Sequence, residues 1–186
     1  MIKKILCYLR VLIILPGIQW NSKVFIQDLK RWKIICNIEN NDVFSVALLL
    51  WDKPEYRNLF IYRNRERIFY KLLLKLIYPP LKTLYIETEK IGGGLFIQHG
   101  FATMISAKEI GENCWINQQV TIGYKGKGNP PTIGNNVTIT CGAKVLGDIK
   151  VGDNSTIGAN AVVIKDVDPG AVMVGIPATR IKANRG

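Results

Sequence analysis

Residues 132–166, TIGNNVTITCGAKVLGDIKVGDNSTIGANAVVIKD, place an aliphatic side chain at every sixth position: Ile133, Ile139, Val145, Val151, Ile157 and Val163. Ile110, Ile116 and Ile122 keep the same period upstream, and Ile91 and Ile97 begin it. Glycine follows the aliphatic residue at Gly92, Gly111, Gly123, Gly134, Gly152 and Gly158. Four positions after each aliphatic residue the chain is usually small or apolar, as at Cys114, Val120, Val137, Ala143, Ile149, Ser155 and Ala161. A helix repeats every ~3.6 residues and a strand every ~2, so neither produces this pattern. A prism of short strands does. Three hexapeptides make one triangular coil, the aliphatic residues point to its axis, and glycines and asparagines at the corners take positive φ at low cost. Repetition at a fixed period outranks local propensity in deciding the fold.

Two places break the period. Ile97 to Ile110 is thirteen residues where twelve would be regular, which predicts one extra residue bulging out within Gly100 to Lys108. Ile122 to Ile133 is eleven where six would be regular, which predicts a five-residue excursion within Tyr124 to Pro131. Loops that leave a solenoid are common places for chemistry. The only histidine, His99, adjoins the first break, and the second, about one coil later, is expected on the same side.

Upstream of residue 90 the composition changes. Of the 25 basic residues, 16 lie in residues 1–90, as do 13 of the 17 aromatics, whereas 16 of the 17 glycines lie beyond. The net charge of +11 therefore belongs mainly to the first half. No RNA-binding fingerprint accompanies it, and the aromatics have helical spacing, so nucleic acid is not the expected partner. One histidine and four scattered cysteines, Cys7, Cys36, Cys114 and Cys141, give no protein-ligated metal site and no disulfide framework, which points to the cytoplasm.

Residues 1–15 pair a basic start with an apolar run, but Arg10 interrupts the run and no small-x-small cleavage site follows. The segment is too short to span a bilayer, which takes about 20 apolar residues. It fits a helix packed in an oligomer interface, the preferred reading, or a peripheral anchor on anionic lipid at the inner face of the membrane. Helices are predicted over 22–36 and 41–52, the second capped by Asn41-Asp42, and a further one opens at Pro54. Apolar spacing extends it from Tyr56 to Tyr78, where Pro79-Pro80 stop it. Arg57, Arg63, Arg65 and Arg67 read as a solvated helix face.

Residues Ile91-Gly-Gly-Gly-Leu-Phe-Ile-Gln-His-Gly100 and the closing DVDPGAVMVGIPATRIK of 166–182 resemble segments of the serine O-acetyltransferase family. With the repeats, the resemblance covers about residues 84–182. It implies a left-handed parallel β-helix of hexapeptide repeats over 84–175, which with the helical N-terminal domain read over 1–83 and a tail over 176–186 makes an α + β chain. It also implies acetyl-CoA as co-substrate, a homotrimer, and His99 as the general base. The chemistry explains that role. An alcohol attacks a thioester poorly unless its proton leaves during attack, and an imidazole is poised to take it near neutral pH. For the donor, the resemblance carries over to Ala159, Lys165 and Lys182, small or cationic residues suited to the pantetheine arm and phosphates of CoA. Cys114 occupies an inward repeat position and reads as core.

Departures from the serine enzymes bear on the acceptor. Their D-I-H-P motif falls at Leu84 to Glu87, their aspartate before the base is Gln98, and their second Arg-His pair is Asn129-Pro130. Gln98 and Tyr124 are the candidate acceptor-binding residues, and Glu87 or Glu89 the candidates to orient His99. The HGFATMIS stretch resembles acetyltransferases of capsule, colanic-acid and O-antigen synthesis. A saccharide hydroxyl is therefore the favoured acceptor, with free serine, as in cysteine biosynthesis, the alternative. A non-catalytic trimeric scaffold at the membrane surface is a further alternative.

Overall fold

The computed structural model describes the backbone of residues 2–181 and the side chains of residues 6–181. The chain divides into two compact units, Met1–Lys82 and Thr83–Gly186.

The first unit is helical: α1 (Ile2–Ile14), α2 (Lys23–Ile35), α3 (Asp42–Asp52), α4 (Pro54–Arg63) and α5 (Ile68–Ile77). Ser22 Oγ accepts from the Phe25 backbone N–H at 3.4 Å and Asn41 Oδ1 from that of Phe44 at 2.9 Å, so the first turns of α2 and α3 are capped by side chains. Trp32, Leu49, Leu50, Tyr56 and Leu59 fill the core, with the Trp32 and Tyr56 rings edge to face at 5.1 Å.

The single helix predicted from Tyr56 to Tyr78 is two. Asn64 turns its side-chain amide back onto the Phe60 carbonyl at 2.9 Å, and the backbone N–H of Arg67 bonds Asn64 O at 3.1 Å, closing a turn between α4 and α5. Arg57, Arg63 and Arg67 are not a solvated face, whereas Arg65, its side chain 40% exposed, pairs with exposed Glu66 at 3.2 Å. Arg63 Nε donates to buried Asp28 Oδ2 at 2.8 Å. Arg67 donates to Gly17 O. Arg57 donates to Leu50 O at 2.6 Å, to Trp51 O and to Pro79 O, closing the C-terminal end of α3.

The second unit is a three-sided parallel solenoid. Its first coil is β1 (Leu84–Ile86), β2 (Lys90–Ile91) and β3 (Phe96–Ile97), and its second β4 (Thr103–Ile105), β5 (Glu109–Ile110) and β6 (Trp115–Ile116). The third is β7 (Thr121–Gly123), β8 (Thr132–Ile133) and β9 (Thr138–Ile139), and the fourth β10 (Lys144–Leu146), β11 (Lys150–Val151) and β12 (Thr156–Ile157). The last holds β13 (Val162–Val163) and β14 (Val172–Val174), with β15 (Thr179–Ile181) folding back antiparallel onto β14. Sheet I is β1-β4-β7-β10-β13, sheet II is β2-β5-β8-β11, and sheet III is β3-β6-β9-β12-β14-β15.

The six-residue period becomes the core. Ile133, Ile139, Val145, Val151, Ile157 and Val163 are all at most 2% exposed, and burying each contributes about 1.5–3 kcal/mol. Asparagines take the left-handed conformation at successive coils of the turn from sheet II to sheet III, at Asn113, Asn136 and Asn154. The glycines after the sheet II strands serve close approach instead. A Cβ on Gly111 would stand 2.6 Å from the Gly134 carbonyl carbon of the next coil.

Candidate active site

His99 lies in the turn from sheet III into sheet I, between β3 and β4. The registers Ile97↔Ile116 and Ile105↔Ile122 show what is unusual there: eight residues separate the first pair of positions where six separate the second. Two residues, not one, are therefore inserted. They lie between Ile97 and Thr103, and the next turn, Ile105 to Ile110, is one residue short. The net excess of one seen in the sequence conceals this. His99 is thus inside the bulge rather than beside it.

The bulge carries two left-handed residues, His99 at φ 53° and Ala102 at φ 51°. Ala102 has equivalents in later coils at Gln119, Gly142 and Asn160, all at positive φ, whereas His99 has none. A left-handed conformation costs a non-glycine residue about 1–2 kcal/mol. Phe101 N donates to His99 O at 2.7 Å and Gln119 N to Phe101 O at 3.1 Å, which fixes the bulge on the coil below. The imidazole is exposed.

Gln98, directly before it, pairs in register with Asn117, and its Oε1 accepts from Trp115 Nε1 at 3.2 Å and from Asn117 Nδ2 at 3.5 Å. Trp115 in turn stacks edge-on against Phe96 at 4.7 Å. Trp115 and Asn117 were not singled out from the sequence. The signal was present, since they flank inward Ile116, one coil after Ile97. Gln118, the next residue on this corner, has a buried Oε1 with no hydrogen-bond partner among the described residues.

Ala159 is on the same corner as His99. Backbone bonds from Gly142 N to Gln118 O and from Asn160 N to Cys141 O stack Gln118, Cys141 and Ala159 in successive coils below the bulge. Three coils at ~4.8 Å each put Ala159 about 14 Å along the axis from His99. Ala159 is exposed, and Gly142 and Gly158 on either side keep this edge shallow.

The other expected site residues are elsewhere. Tyr124, 58% exposed, starts the excursion between β7 and β8, in the turn from sheet I to sheet II. Exposed Lys165 lies in that same turn two coils later. The two breaks therefore border sheet I at opposite edges, because β7 must cross the sheet before its loop can leave. Gln98 and Tyr124 are not brought together within one chain. Glu87 and Glu89 follow β1 at the edge remote from His99, so neither orients the imidazole of its own chain. Cys114 is buried at 1% exposure, its thiol directed to Gly134 O at 3.1 Å. Arg180 forms an exposed ion pair with Asp168 at 3.3 Å. Lys182 lies outside the described residues. A groove of about 550 Å³ along α2, lined by Trp20, Leu29 and Ile34 among others, belongs to the helical unit.

Comparison with known proteins places this geometry in context. Residues 130–165 match the family described as bacterial transferase hexapeptide (six repeats). Serine acetyltransferase of Helicobacter pylori (strain J99) is 48% identical over 101 residues, 52% of this chain and 58% of that protein. The chain thus spans little more than half the length of that curated relative. Among solved structures, Neisseria gonorrhoeae serine acetyltransferase in complex with serine superposes with a TM-score of 0.59 at 26% identity, over 87% of this chain and 69% of that one. Serine acetyltransferase from Brucella abortus in complex with coenzyme A gives a TM-score of 0.63 at 26% identity, over 90% and 70%. Sequence and fold together relate the solenoid of this chain to the hexapeptide-repeat serine acetyltransferases.

Proposed function

We propose that this chain transfers the acetyl group of acetyl-CoA to an alcohol, with His99 as general base and serine as the acceptor. One observation carries the reading: the only histidine is exposed, in a left-handed conformation, at the head of a corner that runs down to Ala159. Strain of this kind is kept where the surrounding structure over-determines it, which is characteristic of working sites.

The step balances without a covalent enzyme intermediate. An imidazole nitrogen of His99 takes the hydroxyl proton as the oxygen attacks the thioester carbonyl, giving a tetrahedral adduct. The adduct expels the CoA thiolate, and the imidazolium returns the proton to that sulfur. A backbone N–H near the bulge would stabilise the oxyanion, and holding both substrates in one cleft supplies further acceleration. The edge from His99 to Ala159 suits the pantetheine arm, and Lys165 suits a phosphate. A trimer would bring the Tyr124 loop of one copy to His99 of its neighbour and so reunite the two edges of sheet I.

Serine takes precedence over a saccharide because the Helicobacter relative is a serine acetyltransferase and the Neisseria structure holds serine. A saccharide remains the second reading on a specific observation: Gln98 stands where the serine enzymes have aspartate, and its oxygen is held by Trp115 and Asn117. Acetyl-CoA consumption with free serine, beside a panel of sugars and nucleotide sugars, decides between them. Turnover with serine alone supports the proposal, and turnover with a sugar alone replaces the acceptor. Failure to bind CoA by calorimetry would leave a scaffold and overturn the reading.

A further inference from the structure

The helical unit exposes two apolar faces that its own core does not use. On α1, Cys7, Val11 and Ile14 are buried while Leu6, Leu9, Leu12 and Ile13, on the opposite side, are between 44% and 57% exposed. On α5, Leu74 is buried, and Ile68, Phe69, Leu72 and Leu76 point away from it, with Phe69 90% and Leu76 80% exposed. These two helices pack on each other. Tyr70 Oη donates to Ile14 O at 2.8 Å, and the absence of a side chain at Gly17 leaves room for the Tyr70 ring. Scattered exposed leucines need no explanation, but eight large apolar side chains on two neighbouring helices do.

Charge indicates what covers them. The sequence of α1 contains Lys3, Lys4 and Arg10, that of α5 contains Lys71 and Lys75, and neither helix contains an acidic residue. Residues 1–82 as a whole hold 15 basic and 6 acidic side chains. A twofold contact through α1 and α5 would oppose the basic residues of these helices to the same residues of a second copy, and neither helix supplies a carboxylate to pair them. We propose that the α1–α5 face docks the protein on the surface of an anionic lipid bilayer. Leucines, isoleucines and Phe69 enter the boundary between headgroups and acyl chains, while Lys71 and Lys75 reach back along their stems to anionic headgroups. No described helix is long and apolar enough to cross a membrane, so the attachment is interfacial. Apolar insertion and basic charge supply the two signals that lasting attachment requires.

The test is co-sedimentation of the full chain with vesicles of phosphatidylcholine alone or with about 30% phosphatidylglycerol, at ~0.1 M and ~0.5 M salt. Partitioning should favour the anionic vesicles at least about tenfold and weaken at high salt. Phe69→Glu combined with Leu76→Glu should lower it about tenfold or more. Lys71→Gln combined with Lys75→Gln should lower it several-fold at low salt and little at high salt. Both pairs are remote in sequence from His99 and should keep the wild-type acetyl-transfer rate, so failure here is distinguishable from failure of the proposed activity. Four outcomes overturn the proposal: no partitioning of the wild type, equal partitioning on neutral vesicles, partitioning unchanged in the variants, or a smaller assembly formed by the glutamate variant without vesicles. The last would make the face a contact between copies.

Discussion

Replacing His99 with glycine should make the protein more stable while removing its activity. At φ 53° the histidine backbone is in the left-handed region, and the side chain is exposed, so little packing is lost with it. Relief of the left-handed conformation returns about 1–2 kcal/mol. The greater freedom of glycine in the unfolded chain takes back about 0.5–1 kcal/mol. The net gain is centred near ~0.75 kcal/mol within a range of about 0–1.5, or ~0–6 °C in Tm for a chain of this size. Loss of the proposed general base should lower kcat at least ~100-fold. His99→Asn separates the two effects, since Asn113, Asn136 and Asn154 already adopt this conformation in the same solenoid. It should be nearly as stable as the glycine variant and equally inactive. Thermal melts and acetyl-CoA consumption on the three proteins provide the readout. A His99→Gly protein that melts below the wild type would show that the bulge is not strained, and one that turns over at the wild-type rate would remove His99 from the chemistry.

Ala159→Glu places a carboxylate on the corner below His99 and should raise KM for acetyl-CoA about tenfold or more while changing kcat much less; equal losses in both would move CoA off this edge. Gly111→Ala puts a methyl group 2.5 Å from Asn135 Oδ1 and 2.6 Å from the Gly134 carbonyl carbon, of which the backbone cannot swing aside, and should destabilise the solenoid by about 2–3 kcal/mol in denaturant titrations. An unchanged midpoint would mean that the coils are less tightly stacked than their hydrogen bonds indicate.

How much of this was legible beforehand depends on the range of the interaction. The solenoid could be read from residues 132–166 because its core is built from one repeated local decision, an aliphatic residue turned inward every six positions. The caps at Ser22 and Asn41 and the start at Pro54 are local in the same way, and they settle within a turn. The break between α4 and α5 was not legible. Apolar spacing runs through it, and the contacts on either side of it, Arg63 to Asp28 and Arg67 to Gly17, join residues 35 and 50 positions apart. The same holds for the insertion around His99, where two extra residues in one turn and one missing from the next leave a sequence excess of one. Only the pairing of β4 with β7 separates them.

The acceptor shows a different limit. Motif departures at Gln98 and Asn129-Pro130 argued against serine and the HGFATMIS stretch for a sugar, whereas the relatives argue for serine, because absent residues say what is not gripped and not what is. By itself the sequence determined the prism, its core positions and the one histidine able to act as a base, since each follows from residue type and spacing. Only the tertiary structure decided that His99 is left-handed within a two-residue bulge, that Ala159 shares its corner, and that Tyr124 and Lys165 stand across sheet I. Those facts depend on which strand pairs with which across coils, and pairing between residues 17 to 23 positions apart leaves no mark within a six-residue period.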